Sequence, residues 1–250
     1  MMRPTLANQS EDPTQAPPGL HDALESGAGA KNYYAWLTSA CAPFMRGTVV
    51  EHGAGRGTLS VGLVTVGAPQ LILTEPDAQM SSALRARFGA NSGVAIFQGT
   101  LDDYLAVAGP NSVDSLISSN VLEHIEDDEA CLATMRKLLR PGGQLVLYVP
   151  ARPELYGDFD RLVGHHRRYR PKELRRKLLA AGFQIEKMEY RNLVASLAWL
   201  WLRVAKKQHV PGGNVESFDR FLFPLLRRIE DVVPLPYGLN ILTIASWSGG

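Results

Sequence analysis

Cysteine is scarce in this chain of 250 residues: Cys41 and Cys131 are the only two, far apart and outside any CxxC pair. A disulfide framework and a structural zinc site are disfavoured, no metal is expected, and a reducing cytoplasm is the compartment that fits. Charge of one sign is lacking as well. Lys and Arg number 26 against 25 Asp and Glu, a formal net charge of +1, so no global field recruits nucleic acid or an anionic membrane. Such a partner needs a local patch. Long apolar runs are missing too. The most apolar stretch, LVASLAWLWL from Leu193, is closed by Arg203 and Lys206 before it reaches spanning length. The opening MMRPTLANQSEDPTQAPPG has no apolar core of the signal-peptide kind. It is polar and proline-rich, and residues 1–20 read as a disordered lead-in.

What is present suffices for one sizeable core, since 45% of the residues are hydrophobic. Residues 21–250 are expected to form a single domain. From Lys31 to Met45 the pattern is helical and aromatic, with Tyr33, Tyr34 and Trp36. Strands are expected at Thr48–His52, Leu71–Thr74, Val94–Phe97, Val113–Ser118 and Gln144–Val149. Helices are expected at Thr58–Val66, Asp77–Phe88 and Asp127–Leu139, the last stopped by Pro141-Gly142-Gly143. This alternation is the signature of βαβ units and a parallel sheet covered on both faces. The handedness of such crossovers brings the turns after the strands to one edge. The glycine turn at Gly53, Glu75, Gly99-Thr100-Leu101 and Ser119-Asn120 all fall there. Further on, Pro171–Ala181 reads as a helix, and Phe183–Glu189 and Asn240–Trp247 as strands. Residues 192–238 between them form a helical insertion.

The stretch VVEHGAGRGTLS, Val49 to Ser60, sets three glycines at alternate positions after an apolar pair. Such a turn lets backbone approach a ligand closely. A Walker phosphate loop is excluded, because no Gly-Lys-Ser/Thr follows. The dinucleotide pattern G-x-G-x-x-G is not matched by Gly53-x-Gly55-x-Gly57. An acidic residue about twenty positions on, here Glu75, serves nicotinamide and adenosyl cofactors alike and does not choose between them.

Four segments in order do choose: EHGAGRG, LILTEPD, ISSNVLEHIED, and LLRPGG before LVLYVP. Together they resemble the class I S-adenosylmethionine-dependent methyltransferases, of the type 11/12-like kind, over roughly Tyr33 to Glu189. The resemblance implies a Rossmann-like three-layer α/β sandwich with a seven-stranded, mostly parallel sheet whose last strand is antiparallel. It implies S-adenosylmethionine as cofactor and S-adenosylhomocysteine as product. The glycine turn, Gly53, Ala54, Gly55 and Gly57, would pass under the methionine and ribose portions. Glu51 would suit the ammonium, Glu75 would accept both ribose hydroxyls, and Pro76 and Met80 would flank the adenine. Asn120 and Val121 would line the methionine side. The third-strand turn departs from the family pattern, with Thr100 where Asp often binds the adenine amino group. Thr100 or Asp102 would take that bond, and Leu101 would touch the ring.

Methyl transfer from a sulfonium is an in-line displacement, so the protein mainly aligns the acceptor and excludes water. A hydroxyl or amine acceptor also needs its proton removed. The segment YGDFDRLVGHHRRYRPKELRR is the richest in suitable groups, and its Gly-His-x-Arg-Arg-Tyr order resembles a bacterial subgroup of these methyltransferases. His165 is expected as base or acceptor-orienting group, with His124 second. Tyr33, Tyr156, Arg167, Arg168 and Tyr169 are expected to contact the acceptor. A DNA substrate is not expected: SSNVLEH lacks the Asn/Asp-Pro-Pro-aromatic element of adenine-N6 enzymes, and Cys131 reads as core rather than nucleophile. The basic cluster leaves tRNA open. A small-molecule or lipid- or sugar-linked acceptor methylated on oxygen or nitrogen is favoured. Residues 193–207 read as core or lid first, then as a dimer surface or a peripheral membrane contact. Oligomeric state is left open. The rival readings are a protein that binds the adenosyl cofactor without methyl transfer, and a nicotinamide oxidoreductase.

Overall fold

The computed structural model describes residues 29–192, 219–220, 223 and 237–249. The lead-in at 1–20, the apolar segment 193–207 and most of the insertion at 192–238 lie outside the described residues.

Five parallel strands form the sheet's main body: β1 (Thr48–His52), β2 (Gln70–Glu75), β3 (Val94–Gln98), β4 (Val113–Ser119) and β5 (Leu139–Pro150). Two more follow, β6 (Gln184–Arg191) and β7 (Asn240–Trp247). The order is β3-β2-β1-β4-β5-β7-β6, with β7 antiparallel to both of its neighbours. This is the expected seven-stranded Rossmann-like sheet with an antiparallel last strand. The central strands β1, β2, β4 and β5 are buried on both faces because helices cover both. On one side α1 (Lys31–Cys41), α2 (Thr58–Thr65) and α3 (Ala78–Phe88) bury Leu37, Leu63 and Leu84 against Val49, Leu71, Ile117 and Val146. On the other, α4 (Leu101–Ala108), α5 (Asp128–Leu138) and α7 (Pro171–Ala180) bury Tyr104, Leu132 and Leu178 against Val50, Leu116 and Leu145. Adjacent residues such as Val49 and Val50 serve opposite cores, as the two-residue period of a strand requires. A short α6 (Asp158–Leu162) precedes α7.

The boundaries differ from expectation for local reasons. α1 stops at Cys41, and Ala42–Phe44 tightens to a 3-10 turn, because Pro43 cannot donate to a continuing helix. α4 was not expected. Thr100 starts it with a capping box: its hydroxyl accepts from Asp103 N at 3.2 Å while the Asp103 carboxylate accepts from Thr100 N at 2.9 Å. β5 begins earlier than expected, because Leu139 already pairs with Val113 before a register shift.

The strand ends are level. His52 lies beside Thr74 and Ser118, and Glu75 beside Gln98. The turns that follow β1, β2, β3 and β4 therefore share one edge, the edge at which an open parallel sheet forms its binding crevice.

Candidate functional site

The crevice is built from the glycine turn outward. Gly53, Gly55 and Gly57 have φ of 67°, 56° and 80°, a region that suits residues without a Cβ. Space demands glycine at two of them. A Cβ on Gly53 would lie 2.6 Å from Val121 Cγ2, and one on Gly57 would lie 2.6 Å from Phe88 Cε2. Gly57 is also the N-cap of α2, so the positive end of that helix faces the turn.

Glu75, the last residue of β2, folds onto this turn. Its Oε2 accepts from Gly55 N at 2.8 Å and its Oε1 from Asp77 N at 3.0 Å. Each oxygen keeps further lone-pair capacity for a ligand. Burial raises its pKa, opposed by those two N–H bonds. Glu51 points to the α1–α2 side, buried, and accepts from Ser60 Oγ at 2.6 Å. Burial pushes its carboxyl up to about 8, against the Ser60 bond and with added repulsion from Glu75. A carboxyl so placed favours a cation beside it. Asp77 caps α3 by accepting from Met80 N at 2.8 Å, and the Met80 side chain is buried.

At the third turn the polar side chains are hydrogen-bonded within the protein. The Thr100 hydroxyl donates to Asp103 Oδ2 at 2.7 Å and caps α4, and Asp102 Oδ1 accepts from Thr134 Oγ1 at 2.5 Å. Thr100 and Asp102, the polar groups expected near the adenine, thus each have a partner within the protein, and Leu101 is buried in the core. At the fourth turn Asn120 takes a positive φ of 52°, is exposed, and lies next to Val121. Tyr33 stands beside it, with the side chains of Tyr148 and Asn120 close to its hydroxyl. Tyr33 packs edge-on against Tyr34, Tyr148 and Phe223, and Asp219 accepts from the backbone N of Asn32 and Tyr33. α1 therefore presents an aromatic wall to the crevice, held in place by residues of the insertion.

Beyond Asn120 the chain makes a 3-10 turn, Leu122–His124, and meets the segment between β5 and α7. His165 Nδ1 is 2.8 Å from Asp160 Oδ1. With that nitrogen donating to the carboxylate, Nε2 carries the lone pair, and it points toward Glu123 Oε1 at 3.8 Å. The His124 ring stands edge-on to His165, centroids 4.6 Å apart. Asp160 also accepts from Arg168 Nε at 2.7 Å and Gly157 N at 2.9 Å. Burial opposes its ionisation, but the His165 and Arg168 contacts outweigh burial and hold its carboxyl below the usual range. Glu123 has no accessible surface, and neither of its oxygens is hydrogen-bonded by another residue. Burial raises it to about 8 despite the Arg168 charge. Burial and the nearby His165 lower His124 to about 3, so its imidazole is neutral.

The other residues expected at the acceptor have partners within the protein. Tyr169 is fully buried, and its hydroxyl lies 2.9 Å from Asp128 Oδ2 and 3.2 Å from Leu122 O. Arg168 is buried on Asp160. Arg167 reaches Asp128 Oδ1 at 3.0 Å and Glu126 O at 2.6 Å. Lys177 completes the cluster on Asp128, Nζ to Oδ2 at 2.6 Å. The Tyr156 hydroxyl donates to His165 O at 2.6 Å and holds the loop. These side chains build the frame around His165. Sequence reasoning singled out His124 and His165 but missed Glu123 and Asp160 as their partners. Glu123 is the neighbour of His124 in LEH, and Asp160 is separated from His165 by one short helical turn.

Among the described residues, no helix is long and apolar enough to cross a membrane. Residues 28–188 match the methyltransferase domain family. An uncharacterised methyltransferase of Bacillus mycoides is 30% identical over 102 residues, 40% of this chain and 45% of that protein. The match thus spans about half the length of the curated relatives. A solved S-adenosylmethionine-dependent methyltransferase from Mesorhizobium loti superposes with a TM-score of 0.58 at 19% identity, covering 84% of this chain and 95% of that one. The complex of a putative methyltransferase with the Haloferax volcanii Trm112 activator gives 0.64 at 17% identity, covering 94% and 100%. At these identities the two structures share the fold.

Proposed function

The chain belongs to the methyltransferase domain family, and from that premise we propose that it transfers a methyl group from S-adenosylmethionine to an oxygen or nitrogen of a small-molecule acceptor. One observation carries the cofactor reading: the Glu75 carboxylate is folded onto Gly55 N and Asp77 N at the lip of the crevice. That arrangement suits a vicinal diol, with one ribose hydroxyl for each carboxylate oxygen. The residues fit the rest of the molecule. Gly53, Gly55 and Gly57 supply a turn without side chains, and Glu51 offers a buried carboxyl to an ammonium. Bound there, the sulfonium supplies a methyl group already activated for displacement. The protein's share is alignment and dryness: the Tyr33 wall and Asn120 would narrow the approach, and Asp160, on His165 Nδ1, holds the ring of the residue we assign to the acceptor.

Titration calorimetry with S-adenosylhomocysteine and, separately, NAD(H) tests this reading. It expects saturable one-to-one binding of the first and none of the second. Binding of the nicotinamide alone refutes it. On the acceptor side, His165→Ala is expected to keep S-adenosylhomocysteine affinity within about twofold of wild type and to slow transfer by about 100-fold or more. A wild-type transfer rate removes His165 from the reaction.

A further inference from the structure

Three side chains with lone-pair donors come together beyond the fourth strand. One ligand atom each from Glu123, His124 and His165 lies within 4.8 Å of the other two. Glu123 is the least explained. It has no accessible surface and no hydrogen bond from another residue to either oxygen, and His165 Nε2 at 3.8 Å is the ring nitrogen facing it. The nearby guanidinium of Arg168 is engaged with Asp160. Buried carboxylates are ordinarily paired or bound to a metal. His124 Nδ1 is also buried without a partner.

The imidazoles are held as metal ligands are held. A ligating histidine typically donates its other ring N–H to a carboxylate or a backbone carbonyl, which fixes tautomer and orientation. His165 has Asp160 Oδ1 at 2.8 Å on Nδ1, which leaves Nε2 for a ligand. The Gly164 backbone carbonyl lies near the His124 ring, and His124 Nδ1 has no hydrogen-bond partner. Asp160 in turn is fixed by Gly157 N and Arg168, and the His166 backbone N donates to the Glu123 carbonyl at 2.8 Å. The two strands of chain that carry the donors are thus tied together around the cluster.

We infer that Glu123, His124 and His165 form a binding site for a first-row divalent transition metal ion at the acceptor end of the crevice. Two imidazoles and one carboxylate suit zinc or its neighbours and not the hard cations that prefer all-oxygen shells. Three protein ligands leave a fourth position for water or an acceptor heteroatom. Bonds of about 2.1 Å put two ligands of one tetrahedral ion about 3.4 Å apart. Glu123 Oε1 and His165 Nε2, 3.8 Å apart, need only a small adjustment, and His124 a larger one. The cluster's meaning for methyl transfer rests on the function proposed above, but the binding of an ion does not.

The test uses the whole chain, stripped of metal and titrated with zinc chloride alone, with S-adenosylhomocysteine titrated in parallel. The expected result is one zinc per chain, and at least 100-fold weaker binding in Glu123→Gln and in His165→Ala. His166→Ala, next in sequence, keeps wild-type affinity. Cobalt titrated into the wild-type chain gives the visible absorption of a low-symmetry, nitrogen-ligated site, a readout that survives if a variant fails to fold. No stoichiometric zinc, or zinc binding untouched by both variants, or an octahedral aquo-like cobalt spectrum overturns the site. If S-adenosylhomocysteine still binds in that event, the methyltransferase reading stands without the metal.

Discussion

Glu51 makes the linkage between pH, stability and ligand charge measurable. Its carboxyl is raised by burial from 4.5 to about 8 in the folded chain. Below the lower value native and unfolded chains both hold the proton. Between the two, the native chain keeps a proton that the unfolded chain has released, so native stability falls as pH rises. The loss is up to about 1.4 kcal/mol per pH unit and ends once the native group ionises above about 8. Glu51→Gln has nothing to titrate. The difference in stability between wild type and variant therefore shrinks or grows along that slope between pH 5 and 8, which is about 3–6 °C in Tm per unit for a chain of this size. Comparing the two proteins cancels the other titrating groups. A ligand ammonium beside Glu51 should draw the proton off. At pH 7 a group with a pKa of about 8 is about nine-tenths protonated, so binding of S-adenosylhomocysteine should release about 0.9 proton in wild type and almost none from this site in the variant. Calorimetry in two buffers of different ionisation enthalpy reads that number. Parallel pH profiles of stability, together with equal proton release, refute the placement of a protonated Glu51 beside the ligand's amino group.

Two further outcomes follow from packing and capping. Gly57→Ala places a Cβ 2.6 Å from Phe88 Cε2 and 2.9 Å from Leu84 Cδ2 at a φ of 80°, and should cost about 2–4 kcal/mol from backbone strain and overpacking; a thermal melt unchanged within a degree contradicts the geometry. Thr100→Ala removes the α4 cap and should cost about 1 kcal/mol while leaving S-adenosylhomocysteine affinity as it was, and an affinity loss would return Thr100 to the adenine.

The sheet was legible because its strands are short apolar runs, and the glycine turn declared where the first crossover begins. The number of strands and the antiparallel last strand came from the family resemblance, not from periodicity. α4 was hidden because GTLDDYLAVAG is read as a turn once the family pattern draws attention to Thr100. Yet Thr100 and Asp103 carry the spacing of a capping box. The arginine-rich segment misled for a different reason. Arg167, Arg168 and Lys177 look like a grip for an anion when read alone, but their counter-charges, Asp128 for Arg167 and Lys177 and Asp160 for Arg168, are supplied across tertiary contacts or an intervening turn. Long-range pairing of this kind leaves no local pattern. The same holds for Glu123, whose isolation in the interior is a property of the packing around it.

The account rests most heavily on Glu75 as the group that holds the ribose. Titration of S-adenosylhomocysteine into wild type and Glu75→Ala tests it directly. Two hydrogen bonds to a charged acceptor, each about 1.5–3 kcal/mol, predict affinity at least about 100-fold weaker in the variant. Equal affinity in a variant that melts as a folded protein would contradict the site.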